Sequence, residues 1–453
     1  MAADADTTIS MDQKVHDWLT ANLGPVIALE RQPRWRPGWD ATVTRDGNPL
    51  RLYIRGPRGD SYVSPVDMYQ EAQIHHAFEA SGIPAPRVFG MIEDPLSIVM
   101  ERLPGRINTD AIEDSGVRQK VRDDFIRIVA DVHNLPLETF EKVGLEIPKT
   151  PDEIAGATYR LSETIFERQM PRPFPLMRFI GLWLRRNTPQ DRTRIAFVNF
   201  DAGQFLFDGD RVTGLIDFEV SGLGDPAGEL AGMRLRDTSE PLGDLSAMID
   251  RYEALTGDRI SKRLIEYHTA AFCGVNGFLM WPLAFNTTME QDYTAYMQYM
   301  VATTRWSITA IAAHIGMEFS EPREPRLAPL GYVRAANHLI EQIGMMPGGS
   351  LADEYARDSA AGLARYLSRW NDYGRDVLAE NLADASALLG RTLDDWDEAQ
   401  AAVEAYVLAA PPEEDQKLVQ HFHNWLRRQA FLLQGCGVAA PFADLDLQVI
   451  PER

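Results

Sequence analysis

The chain has very little cysteine for its length, because Cys273 and Cys436 are the only two among its 453 residues. They lie far apart in the sequence, and neither belongs to a CxxC spacing. Disulfide frameworks and structural zinc sites need several suitably spaced cysteines, so the sequence argues against both. We interpret the two residues as reduced thiols.

The chain also has fewer basic than acidic residues. The chain carries 45 Lys and Arg against 66 Asp and Glu, which gives a formal net charge of -21. Such a chain repels nucleic-acid phosphates and anionic lipid headgroups, which argues against nucleic acid or membrane as the main partner. The partner that we expect is a small-molecule substrate or another protein.

Long hydrophobic runs are absent. The first residues, MAADADTTIS, lack a basic segment followed by an apolar one, and no stretch reaches about 18 consecutive apolar residues. We therefore expect a cytoplasmic protein. Apolar residues make up 45% and charged residues 25% of the chain, which is typical of a globular protein and sufficient for a sizeable core. The length favours two or three domains.

The segment from Trp35 to Met100 has the pattern of a small sheet. Short runs of β-forming residues, ATVTR, LRLYIR and LSIVMER, are separated by turn signals such as Asp46-Gly47. One stretch, VDMYQEAQIHHAF, instead has apolar residues at helical spacing and ends at a Gly-Ile-Pro break. The sequence predicts a β-rich region crossed by one helix.

Most segments after residue 111 are helical in pattern, with one exception near residue 200. There the run IAFVNFDAGQFLFDGDRVTGLIDFE alternates apolar and polar residues around Asp208-Gly209-Asp210, which predicts a β-hairpin. The proline-rich run EFSEPREPRLAP suggests a linker before a further unit. We predict an α+β fold with domains at 1–104, 105–318 and 330–453, the last of them helical.

The last predicted domain carries apolar stripes that we interpret as core. They are Leu363, Tyr366, Leu367 and Trp370 in one helix, and Leu418, Phe422, Trp425 and Leu426 in another. His421 and His423 point to different sides of a helix, so we interpret them as surface residues and not as shared metal ligands. This domain is a candidate surface for a homo-oligomer or a protein partner.

The segment DRVTGLIDFEVSGLGDPAGEL carries the most specific chemical signal. An apolar strand delivers Asp217 and Glu219 at its end, before a glycine-rich turn and a helix. Magnesium in phosphoryl-transfer sites is held by one or two carboxylates together with substrate phosphates, which fits this pattern. Asp217 as a simple turn cap is an equally good interpretation of this segment alone.

RVTGLIDFEVSGLGDPAGELA closely resembles the metal-binding segment of the aminoglycoside and choline kinase-like phosphotransferase family. The resemblance covers residues 30 to 315, about two thirds of the chain, and implies a bilobal protein-kinase-like fold that uses ATP and Mg²⁺. It implies that Asp217 binds the metal, and the pattern of carboxylates at the strand end adds Glu219 as a candidate ligand. In the family's H-G-D-x-x-x-G-N motif, this chain has Phe197 for the histidine, Asn199 for the catalytic aspartate and Gln204 for the metal-binding asparagine.

The amino-terminal region follows the same family in order. The resemblance places a nucleotide-covering turn at Gly38 to Thr42, where small residues let backbone N–H groups approach phosphate oxygens. Arg55 stands where the family has the cation that contacts the phosphates, and Glu71 stands where a helical glutamate orients that cation. The backbone contacts to adenine are expected at three further residues, Met100, Glu101 and Leu103.

The functional hypotheses differ in what they assume about Asn199, which stands at the position of the family's catalytic aspartate. An amide cannot take a proton, although it can orient a hydroxyl group, and Asp201 lies two residues later as a substitute base. The first hypothesis is an ATP-dependent phosphotransferase acting on a small-molecule hydroxyl. The second is a pseudokinase that binds nucleotide or acts as a scaffold. The third is a non-kinase reaction on the same fold, because a fold does not dictate function.

Overall fold

The computed structural model describes residues 10–32, 36–57, 64–170, 172–287, 292–349, 351–437, 439–443 and 445–453. The first part of the chain forms α1 (Met11–Asn22), β1 (Val26–Arg31), β2 (Gly38–Arg45), β3 (Asn48–Arg55), α2 (Met68–Ser81), β4 (Val88–Glu93), β5 (Leu96–Glu101), α3 (Ser115–His133), α4 (Glu138–Glu141), α5 (Pro151–Gly156), α6 (Arg160–Gln169) and α7 (Pro175–Arg186).

The remainder forms β6 (Ala196–Asn199), β7 (Phe205–Asp208), β8 (Arg211–Leu215), β9 (Ser221–Gly224), α8 (Ala227–Asp237), α9 (Leu245–Thr256), α10 (Lys262–Phe285), α11 (Tyr293–His314), α12 (Val333–Gly344), α13 (Leu351–Leu389), α14 (Trp396–Ala409) and α15 (Asp415–Leu433). Among the described residues, no helix is long and apolar enough to cross a membrane.

The chain folds into two compact units, each built from separate stretches of sequence. The first contains residues 1–148, 194–229 and 240–259, and the second contains 149–193, 230–239 and 260–453. The predicted α+β class, with a β-rich beginning and a mainly helical remainder, is confirmed. The predicted division at residues 104, 318 and 330 stays a prediction.

A five-stranded antiparallel sheet in the order β1-β2-β3-β5-β4 forms the start of the first unit. Alternate residues of β2 point to one face, so Trp39 and Val43 are buried against Val15 and Leu19 of α1. The predicted Asp-Gly turn joins β2 to β3, since Asp46 and the glycine after it both have positive φ, as a tight hairpin requires.

The predicted helix and hairpin of the first unit are also confirmed. Asp67 and Gln70 form a capping box that starts α2, and Gly82 ends it in the left-handed conformation. Strands β7 and β8 pair in antiparallel register around the Asp208-Gly209-Asp210 turn. These local signals correctly place the elements that carry Glu71 and the segment leading to Asp217.

The second unit has a helical core that includes α7, α10, α11, α13, α14 and α15. From the α15 stripe, Leu418, Phe422 and Leu426 are buried as expected. The α13 stripe is only partly core: Tyr366 is buried, whereas Leu367 is 55% exposed. The helical spacing was right, but the stripe does not lie wholly on the buried side of α13.

The interpretation of His421 and His423 as surface residues is wrong, because both are buried. The ring of His423 stacks on Phe319 with a centroid distance of 3.8 Å, and its Nε2 lies 3.1 Å from a carboxylate oxygen of Glu321. The segment around residue 320 thus covers α15. A periodicity argument cannot detect an irregular segment that packs on the polar side of a helix.

Candidate nucleotide and phosphoryl-transfer site

The predicted pair of Arg55 and Glu71 is brought together in the first unit. Arg55 is the last residue of β3, and its Nε donates a hydrogen bond to Glu71 Oε2 at 3.2 Å. Both side chains are buried. Glu71 lies in the first turn of α2, so the capping box that starts this helix also fixes the position of its carboxylate.

Asp217 and Glu219 converge on the same arginine. Arg55 Nη2 donates to Asp217 Oδ1 at 2.5 Å and to Glu219 Oε2 at 3.1 Å. Asp217 has a φ of 65°, a left-handed conformation that aspartate tolerates better than most residues. The turn follows β8 and buries the ring of Phe218, whose backbone N–H donates to Glu71 Oε1 at 3.3 Å.

Arg36 completes the cluster, and the sequence analysis missed it. Its Nη2 donates to both carboxylate oxygens of Glu219, at 2.8 and 2.7 Å, and both side chains are buried. No spacing rule links two residues so far apart in sequence. The available signal was an arginine two residues before Gly38, where the resemblance places the start of the nucleotide-covering turn.

The charges of this cluster perturb one another. Two arginines face three carboxylates, Glu71, Asp217 and Glu219. Burial opposes the charge of Arg55, but the three carboxylates outweigh it and raise the pKa of Arg55 above its ordinary value. Burial raises the pKa of Glu71, and the neighbouring Arg55 only partly offsets this. The site is therefore a buried ion-pair network with a permanent cation at its centre.

The adjacent strand end holds the atypical catalytic-loop residue. Asn199 is buried at the end of β6, where its backbone N–H donates to Glu229 Oε2 at 2.9 Å. Its Nδ2 donates to the backbone oxygen of Asp217 at 3.1 Å. Among the described residues, Asn199 Oδ1 has no hydrogen-bond donor. This leaves a buried acceptor beside the predicted metal-binding aspartate.

His133 and Glu229 hold the end of β6 through hydrogen bonds. The sequence analysis assigned neither residue a role. His133 Nε2 lies 3.0 Å from Glu229 Oε2, and His133 Nδ1 lies 2.9 Å from the hydroxyl of Tyr252. Because Glu229 also accepts from the N–H of Asn199, the histidine fixes the loop through one carboxylate. Residues from α3, α8 and α9 meet here, which no local motif could indicate.

Phe197, at the position of the family's histidine, belongs to an aromatic cluster. Its ring stacks on Phe140 with a centroid distance of 4.6 Å and contacts Phe78 edge-on at 5.3 Å. Phe218 lies against the same rings, 5.0 Å from Phe78 and 6.1 Å from Phe197. By packing alone, the cluster connects the strand that ends at Asn199 with the residue that follows Asp217.

Asp201 and Gln204 lie in the connection after β6. Gln204 Nε2 donates to Asp201 Oδ2 at 2.7 Å, so the two predicted site residues contact each other. Asp201 is partly exposed, unlike Asn199. The backbone oxygen of Gln204 accepts from the N–H of Ile216, which ties this connection to the residue before Asp217.

The predicted magnesium site fits in part. Among the described residues, no group of three or more Asp, Glu, His or Cys side chains could hold a metal ion. Magnesium bound to nucleotide needs only one or two carboxylates, so magnesium binding by Asp217 and Gln204 stays a prediction. Both oxygens of Glu219 already accept hydrogen bonds from Arg36, so in this geometry Glu219 pairs with an arginine and not with a metal ion.

The expected turn at Gly38 to Thr42 is wrong as a structural element. This segment is the first part of β2, and its residues pair with β3 from Gly38 opposite Arg55 to Thr42 opposite Arg51. The side chain of Trp39 is buried in the core, as are those of Ala41 and Val43, so the alternation typical of a strand continues back to the start of β2. The connection that precedes it spans residues 32–37, of which 33–35 lie outside the described residues. Nucleotide contacts of Gly38 and Thr42 stay a prediction.

The predicted adenine-binding segment is the end of β5 and the residues after it. Met100 is buried and pairs with Tyr53 of β3, while Glu101 donates its N–H to the backbone oxygen of Arg87. Leu103 lies beyond the strand. Gly105 follows with a φ of 117°, and a Cβ there would lie 2.4 Å from the backbone oxygen of Phe207. Only glycine lets the chain pass this close to β7.

Comparison with known proteins identifies the family and the fold of the chain. Residues 34–261 match the phosphotransferase enzyme family. No curated protein matches significantly. The fold is similar to that of a Ralstonia eutropha protein described as an aminoglycoside phosphotransferase, with a TM-score of 0.51, 15% identity, and coverage of 67% of this chain and 98% of the other.

Two further solved structures are more distant. The macrolide 2'-phosphotransferase of Brachybacterium faecium has a TM-score of 0.43 at 17% identity, with coverage of 64% of this chain and 97% of the other. A thermostable aminoglycoside phosphotransferase variant in complex with ADP and hygromycin B has a TM-score of 0.46 at 13% identity, with coverage of 66% and 98%.

Proposed function

Because this chain belongs to the phosphotransferase enzyme family, we propose that it transfers the γ-phosphoryl group of ATP to a hydroxyl group of a small molecule. The observation that carries the proposal is the convergence of Arg55, Glu71 and Asp217 in one buried site. A cation held by a helical glutamate beside a metal-binding carboxylate is the arrangement that phosphoryl transfer needs.

Each side chain has a separate task in this proposal. Arg55 binds the nucleotide phosphates, and its planar guanidinium offers two N–H groups to them. Glu71 orients Arg55. Asp217, with Gln204, holds the magnesium ion, which supplies charge neutralisation of the phosphate oxygens when bound. The adenine ring lies against Met100, and the backbone groups of Glu101 and Leu103 pair with its edge.

Asn199 orients the acceptor in this proposal. Its Oδ1 is buried and has no donor among the described residues, so an acceptor hydroxyl can donate to it. The hydroxyl oxygen forms a bond to the γ-phosphorus while the bond from phosphorus to the β–γ bridging oxygen breaks, which releases ADP. The proton passes to Asp201, whose carboxylate can accept it where Asn199 cannot.

Phosphoryl transfer depends mainly on positioning and electrostatic stabilisation, so Asn199 is compatible with turnover. General-base assistance contributes roughly 10²–10⁴-fold in rate. We therefore propose a slow enzyme whose rate depends on Asp201. The acceptor class is open among antibiotics, choline-like alcohols, sugars and hydroxyacyl thioesters.

A second candidate is a nucleotide-binding pseudokinase whose helical carboxy-terminal part engages a partner. The contact of Arg36 with both oxygens of Glu219 favours it, because this contact occupies a predicted metal ligand with a protein cation. In that case nucleotide binds without turnover. A repurposed site with a non-kinase reaction is the remaining candidate.

The test is an ADP-formation assay over a panel of hydroxylated small molecules, with mass spectrometry of the acceptor. The proposal expects a phosphorylated product, loss of its formation in Asp217→Ala, and a rate about 10²–10⁴-fold lower in Asp201→Asn. If the wild type binds ATP without product and Asn199→Asp gains turnover, the second candidate is correct. Absence of ATP binding contradicts both.

A further inference from the structure

The second unit contains a cavity of about 420 Å³, and none of the residues of the candidate phosphoryl-transfer site line it. Its lining comes from the segment before α7, the facing ends of α10 and α11, and the helices α14 and α15. The volume falls in the range of roughly 300–1,000 Å³ that is typical of small-molecule sites. The cavity therefore has the size of a ligand site.

Aromatic rings form most of the cavity wall. Trp281 is buried at its centre, with ring-centroid distances of 4.6 Å to Phe174 and 5.9 Å to Trp425. Trp396 and Phe285 extend the wall. Close-packed rings with exposed faces offer offset or edge-on contacts to another ring, each worth about 0.5–1.5 kcal/mol beyond area burial. The wall suits a planar aromatic ligand.

A buried amide supplies an independent sign of a ligand. Gln429 lines the cavity and is only 6% exposed, yet its side chain makes no hydrogen bond to any residue that the structure describes. Buried polar side chains are nearly always hydrogen-bonded, so an amide directed into a cavity calls for a partner there. The amide can donate to or accept from a ligand.

The charged residues of the lining indicate the sign of the ligand's charge. Asp397 lies in the first turn of α14, where the helix N-terminus stabilises its carboxylate. Arg172 lies outside any helix and forms no ion pair with a described residue, while its guanidinium stacks over Phe285 at 4.0 Å. Among the described residues, the lining thus carries one cation, Arg172, without a salt-bridge partner, and one carboxylate, Asp397.

We propose that this cavity binds a planar aromatic molecule that carries a carboxylate or a similar anionic group. The aromatic wall packs on the ring system, Gln429 hydrogen-bonds it, and Arg172 pairs with the anion. Because all of the lining belongs to the second unit, the proposal does not depend on the phosphotransferase assignment.

The test is isothermal titration calorimetry of the full-length protein with 1-naphthoate, without nucleotide. The expected result is saturable binding of one molecule per chain, weakened about tenfold or more in Trp396→Ala. Trp370→Ala is the matched control, since Trp370 is also half-buried in this unit but does not line the cavity. Circular dichroism must show both variants folded.

The anion is tested with Arg172→Gln and with two uncharged or cationic analogues of the probe. The variant is expected to weaken 1-naphthoate about tenfold and leave 1-naphthalenemethanol unchanged. The proposal is overturned if 1-naphthoate does not saturate, if Trp396→Ala and Trp370→Ala bind equally, or if 1-naphthylmethylamine binds more tightly. Displacement of 1-naphthoate by Mg·ATP also overturns it, since the ligand would then occupy the nucleotide site.

Discussion

Removal of Arg36 is the perturbation that tests the buried ion-pair network most sharply. Arg36→Met keeps the aliphatic packing and removes both hydrogen bonds of Arg36 to Glu219, while the contact of Arg55 with Glu219 at 3.1 Å remains. Breaking a buried ion pair from one side costs about 3–5 kcal/mol, because the other charge stays buried without its partner. Since Glu219 keeps its contact with Arg55, we expect a cost at the lower end of this range, about 3 kcal/mol.

The matched control is Arg87→Met. Arg87 contacts Glu79 at 2.8 Å, the same distance as in the buried pair, but these side chains are 61% and 41% exposed. Exposed pairs contribute about 0–1 kcal/mol, so this variant should be nearly neutral. The two variants remove the same type of ion pair, once from a buried site where both carboxylate oxygens are bonded and once from an exposed pair with a single hydrogen bond.

The assay is thermal and urea unfolding, with hydrogen exchange of peptides from β3 to locate the effect in the first unit. For a cooperative unit of about 200 residues, 3 kcal/mol corresponds to a Tm lower by about 6–12 °C. Arg36→Met combined with Glu219→Gln should be less destabilised than the sum of the single variants, by at least about 1.5 kcal/mol. Equal effects of Arg36→Met and Arg87→Met, or an additive double variant, would refute the reasoning.

Three further predictions concern stability. Burial lowers the pKa of His75 to about 3. As the pH falls below about 6.5, this histidine takes up a proton only in the unfolded chain, which lowers the free energy of unfolding. Between about pH 7.5 and 5.5, the free energy of unfolding measured in urea should therefore fall by about 1 kcal/mol less in His75→Gln than in the wild type. Leu426→Ala, in the core, should cost about 2–5 kcal/mol, against less than about 0.5 kcal/mol for the exposed Leu367→Ala, measured by thermal unfolding. Gly105→Ala should cost more than about 1 kcal/mol, whereas a neutral result would show that its strained approach to β7 is unimportant.

Local signals in the sequence were sufficient for much of the fold. The Asp-Gly turns, the helix that ends at Gly82 and the hairpin before Asp217 each depend on a few neighbouring residues, and each is present. The pair of Arg55 and Glu71 followed from the family resemblance and is joined in the structure. Such features are predictable because their determinants lie close together in the chain.

Features that depend on distant packing could not be predicted. Arg36 meets Glu219 across 183 positions of sequence, and His133 reaches Glu229 across 96. The family resemblance predicts a turn from Gly38 to Thr42, yet pairing with β3 makes this segment a strand. In each case the tertiary contact decided the role of the residue.

Binding of a non-hydrolysable ATP analogue, titrated by calorimetry with and without magnesium, tests the central claim most directly. The account predicts magnesium-dependent binding in the wild type, at least about tenfold weaker in Asp217→Asn. Asp210→Asn is the control, because Asp210 lies on an exposed turn of the same hairpin. Identical magnesium-dependent binding by wild type and Asp217→Asn, or no binding by the wild type, would contradict it.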